Sequence, residues 1–68
     1  MKKRVTHKLR NRIDRRAMEF GENLMPGDVV DLIGDIHEYS KEAIIALIID
    51  IMESCGFCCD REEAEFYW

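Results

Sequence analysis

The chain has 68 residues, 47% hydrophobic and 35% charged, with one proline and four glycines; this excludes disorder and allows one domain, residues 1–68. So short a chain buries only about 60% of the surface it exposes when unfolded, and a disulfide, a metal or a second subunit usually adds stability. Charge is polarised: residues 1–16 set eight basic side chains against Asp14, a net of +7, while residues 17–68 set Lys41 and Arg61 against thirteen acids, a net of −11.

That polarity describes a basic N-terminal arm on an acidic body. Met1-Lys2-Lys3-Arg4 imitates a secretory leader, but His7, Lys8, Arg10 and Arg12 stand where its apolar core should be. The longest apolar run, Ala43–Ile49, is seven residues, far short of the roughly 20 needed to span a bilayer. Cys55, Cys58 and Cys59 are an odd number crowded together, a poor disulfide framework, and a cytoplasmic location is expected.

Along the chain, Val5, Leu9, Ile13, Ala17, Phe20 and Leu24 recur at spacings of three and four, which predicts an amphipathic helix. Thr6 is placed to cap it, and Gly21 or Asn23 to end it. Its first residues have little to bury and are expected to fray. Pro26 and Asp28 then suit the first turn of a second helix. Val29, Leu32, Ile33 and Ile36 line one of its faces; Asp28, Asp31, Asp35 and Glu38 line another. Gly34 interrupts this helix, and close approach by a neighbouring helix would account for it.

Ser40 is a good N-cap for a third helix, Lys41–Cys55, whose apolar residues cover nearly the whole circumference. Only Glu42, Asp50 and Glu53, with Ala46, form a polar seam. Five isoleucines would suit a strand, but the serine cap, Gly56 and the helical spacing of the polar residues favour a helix. A helix this apolar must be surrounded by protein, and the flanking stripes look too narrow to wrap it. A homodimer is therefore expected. Gly56 suits a left-handed C′ position with Phe57 packing back. Asp60 and Glu63 form a capping box for a short fourth helix, Arg61–Tyr67. The fold class is thus all-α: three helices plus a short C-terminal one.

Few residues suggest chemistry. Cys55-Gly56-Phe57-Cys58 resembles the thioredoxin-type active-site tetrapeptide over those four residues. It closes a helix instead of opening one, so the dipole disfavours a thiolate. Zinc would need Cys55, Cys58 and Cys59 with His37, although adjacent ligands diverge; small hydrophobes filling a turn are the simpler reading. No Ser/His/Asp set and no glycine-rich phosphate loop is present, so no enzyme is expected.

Binding is what remains. Lys2, Lys3, Arg4, Lys8, Arg12, Arg15 and Arg16, joined by Arg10, suit nucleic-acid phosphates. The competing use of these cations is pairing with Asp28, Asp31, Asp35 and Glu38. A helix-turn-helix is excluded because Lys41–Cys55 has no polar face for a groove. The acidic body could mimic nucleic acid on a target protein. Phe66, Tyr67 and Trp68 are either protein-binding anchors or part of the core. The leading expectation is a small regulator or inhibitor that docks on another protein. A nucleic-acid-binding regulator comes next and a zinc-stabilised module third.

Overall fold

In a computed structural model, which describes residues 2–68, the element order is helix α1 (His7–Met18), a 3-10 turn at Gly21–Asn23, helix α2 (Pro26–Ile33), a 3-10 turn at Ile36–Glu38, helix α3 (Lys41–Ser54) and helix α4 (Arg61–Phe66). The protein is all-α; the one β-type pairing among the described residues is a parallel bridge between Lys3 and Tyr39. None of these helices is long and apolar enough to cross a membrane.

Each helix start was legible from local chemistry. The Thr6 hydroxyl accepts from the Leu9 amide at 3.2 Å, the Ser40 hydroxyl from Ala43 at 3.3 Å, and the Asp60 carboxylate from Glu63 at 2.8 Å. Such caps satisfy amide groups that have no partner inside the helix. At α2 the carboxylate of Asp28 reaches back to the Met25 amide at 2.9 Å, and Pro26 fills the first helical position.

Two helices stop sooner than their periodicity predicts. α1 ends at Met18, not Leu24: the amides of Glu19 and Phe20 turn to Arg16 and Ala17, three residues back. The chain then runs through a 3-10 turn and returns Leu24, 2% exposed, to the core. α2 ends at Ile33 because Gly34 adopts φ 92° and ψ −120°. Asp35 starts the next turn, accepting from the His37 amide at 3.2 Å. Asp28, Asp31, Asp35 and Glu38 therefore do not share one helix face.

The expected close approach at Gly34 is also corrected. No atom lies within 4 Å of where its Cβ would stand, so glycine is needed there for its backbone alone. Gly34→Ala should cost about 1–3 kcal/mol by conformational strain without any clash. Chemical denaturation checks this, and a loss below about 0.5 kcal/mol would refute it.

α3 is the centre of the core. Ile44, Ile48 and Ile51 are fully enclosed, and Ile45, Leu47 and Met52 nearly so, because α1, α2 and α4 all pack against this helix. The narrow flanking stripes predict a second copy over α3, but one copy suffices. Half-buried Val5, Leu9 and Leu32 of the stripes, with Tyr39, Phe57 and Trp68 from outside them, complete the cover. α3 ends as expected: the Gly56 amide donates to Glu53 at 3.0 Å and that of Phe57 to Met52 at 2.9 Å, with Gly56 at φ 89°. This is a Schellman motif with Phe57 folded back.

The expected fraying falls partly on Met1, outside the described residues; Lys2 and Lys3 do have partners. The Lys3 amide donates to the Glu38 carbonyl at 2.7 Å, and Lys2 Nζ to the His37 carbonyl at 2.7 Å. These contacts fix the residues ahead of α1 against the turn that precedes α3.

Candidate nucleic-acid interface

α1 buries Ile13 and Ala17 and turns the opposite side to solvent. Lys8, Asn11, Arg12 and Arg15 follow the i, i+3, i+4, i+7 pattern of one helix face, with Arg16 at its edge. All five are exposed and, with Glu19, line a shallow cleft of about 470 Å³. The walls of such a cleft are the aliphatic stems of long basic side chains, and its rim is their charged heads.

The cations of the sequence stripe divide into two groups. Lys3 pairs with Glu38 at 2.6 Å, Lys2 is held at the His37 carbonyl, and Arg10 pairs with Asp50 of α3. Arg10 is thereby drawn off the exposed face, through a contact 40 residues apart in sequence that spacing could not reveal. Arg4, Lys8, Arg12, Arg15 and Arg16 form no ion pair among the described residues. The expected competition with the acidic stripe thus occurs only at Lys3 and Glu38; Asp28 and Asp35 are used as caps, and Asp31 is exposed.

The cations of this face meet the helix dipole differently at its two ends. The first turn of α1 holds no acid, while Lys8 stands where the positive end of the helix disfavours a cation. Arg15 and Arg16, in the last turn, are favourably placed.

The C-terminal aromatics separate as well. The Trp68 ring packs edge-on against His37, with centroids 4.9 Å apart, and is half-buried. Tyr67 lies over Gly27, where an added Cβ would stand 3.1 Å from its ring. Of the three expected anchors, Phe66 alone projects, 83% exposed, with its ring edge-on to Tyr67 at 5.3 Å.

His37, occupied by Trp68, does not join the cysteines; no group of three or more metal-ligating side chains converges among the described residues. All three thiols are free. Burial raises the Cys55 thiol pKa, with nearby Asp14 adding to it, and burial raises that of Cys59, whose thiol donates to the Asp60 carbonyl. Neutral thiols are poor nucleophiles. A short pulse of iodoacetamide on the folded protein should therefore label exposed Cys58 before Cys59, read by peptide mass; equal rates would contradict the burial of Cys59.

Comparison of the chain with protein-family models, with curated proteins and with solved structures gave no match.

Proposed function

We propose that the protein is a non-enzymatic regulator that binds nucleic acid by laying α1 along the phosphates. The observation that carries this reading is the row Lys8, Arg12, Arg15 and Arg16, exposed together and without acidic partners within the described chain. α1 is 12 residues long, about 18 Å, which matches the rise of about five base pairs. Lys8, Arg12, Arg15 and Arg16 spread over enough of the helix to meet several phosphates. Three free thiols are consistent with a reducing, cytoplasmic setting.

The test is titration of a generic labelled duplex at low and high salt. Binding at low salt that weakens steeply as salt rises is expected, because each neutralised phosphate releases counterions. Undetectable binding at low salt removes the reading.

A second reading makes the protein a regulator or inhibitor that docks on a protein surface. It is favoured by Phe66, an aromatic left 83% exposed beside acidic side chains of α4. Aromatic residues dominate the centres of interfaces, and the acidic surround selects a basic partner.

A further inference from the structure

We infer that the cleft on α1 is the docking site for Phe66 of a second copy of this chain, which deepens the protein-docking reading by naming the partner. The two halves of the contact complement one another in shape and charge. On α1, Lys8, Arg12, Arg15 and Arg16 line an open cleft with Asn11 and a single acid, Glu19, and none of the four forms an ion pair among the described residues. On α4, Phe66 projects from a surface that also carries Asp60, Glu62 and Glu63. Glu62 and Glu63 precede Phe66 by four and three residues and so share its helix face. Arg61, the one cation of α4, is already held by Glu42 and Glu65.

The ring would enter between the stems of Lys8, Arg12, Arg15 and Arg16 and offer its face to the guanidinium groups. Glu62 and Glu63 would meet the charged rim. Within one copy α4 is packed on α3, and no acid of α4 pairs with an α1 cation. The two surfaces do not meet within one copy, so the proposed contact is between molecules. If each copy gives Phe66 and receives one, the contact closes as a two-fold dimer. This interface differs from the one expected over α3, which is already covered.

The test is molar mass by light scattering at rising concentration and low salt, on the wild type and four variants. Every substituted side chain is exposed, but Glu62→Lys/Glu63→Lys places cations at the positive end of α4, so Glu62→Gln/Glu63→Gln is measured beside it and should also weaken the dimer. The wild type should dimerise. Phe66→Ala should weaken the dimer roughly thirtyfold, the loss expected of an aromatic anchor. Glu62→Lys/Glu63→Lys and Arg12→Glu/Arg15→Glu should each be monomeric alone. Mixed together, these two charge-reversed proteins should associate, because both contacts of the mixed dimer are again complementary. A wild type that stays monomeric overturns the inference, as does a dimer indifferent to Phe66→Ala and to both reversals. Phosphate and Phe66 would occupy the same face of α1, so added duplex should compete with self-association; Phe66→Ala, which leaves the charge unchanged, should lose association and keep duplex binding, and this separates the contact from the nucleic-acid reading.

Discussion

Ile48→Ala should remove about 2–5 kcal/mol of stability, the range for truncating a buried isoleucine. Ile48 has no exposure and stands in the middle of α3, enclosed from several sides. The loss combines the transfer energy of the removed carbons with a cavity that rigid neighbours cannot fully close. A domain of 68 residues has a total stability of about 3–10 kcal/mol, so one substitution takes a large share of it. Thermal unfolding followed by circular dichroism should fall by about 10 °C or more. Ile49, same residue type on the same helix but only half-buried, is the internal control. Ile49→Ala should lose less than half as much. Equal losses at the two positions would mean that α3 is not enclosed in the way described.

Replacing Lys8, Arg12, Arg15 and Arg16 together by alanine should abolish most of the salt dependence of duplex binding. Four phosphate contacts predict a slope of log affinity against log salt of about −3.6, hence about a 150-fold loss between 50 and 200 mM salt. The double change Arg12→Ala/Arg15→Ala should halve the slope, because each contact contributes about 0.9. Alanine is the best helix former and all four positions are exposed, so loss of α1 cannot explain the effect. Arg10→Ala provides the contrast. Arg10 is tied to Asp50, and its removal should leave the slope almost unchanged. A quadruple variant with the wild-type slope would sink the phosphate reading of α1.

The fold was legible where the deciding interactions are local. Thr6, Ser40 and Asp60 cap their helices through bonds spanning three residues, and Gly56 with Phe57 closes α3 within its own last turn. Such contacts depend on residue type and spacing, both visible in a sequence. Helix ends governed by backbone conformation were harder to see. Gly34 fits a helix interior at a modest cost or a positive φ at none, and only the structure shows which it takes. Periodicity also continued through Phe20 and Leu24 although the helix did not, because a 3-10 turn can return an apolar residue to the core at nearly the same spacing.

Long-range facts were the least accessible. Nothing in the spacing of Arg10 points to Asp50, or of Trp68 to His37. The basic residues were therefore read as one stripe without the contacts that hold Lys2, Lys3 and Arg10, and the aromatics as one cluster. The case for a second copy over α3 failed for the same reason. It counted the apolar stripes and missed the cover supplied by Tyr39 and Trp68.

The separation of charge has a consequence for how this molecule meets anything in solution. With a net charge of −4, it should be repelled on average by a polyanion at long range. Its basic residues are concentrated before and along α1, however, and its acids elsewhere, so the repulsion depends on orientation. An approaching protein experiences a torque that rotates α1 toward the negative partner and the acidic body away from it. Productive encounters are thereby selected before contact, over distances of about a Debye length, 10 Å at 0.1 M salt.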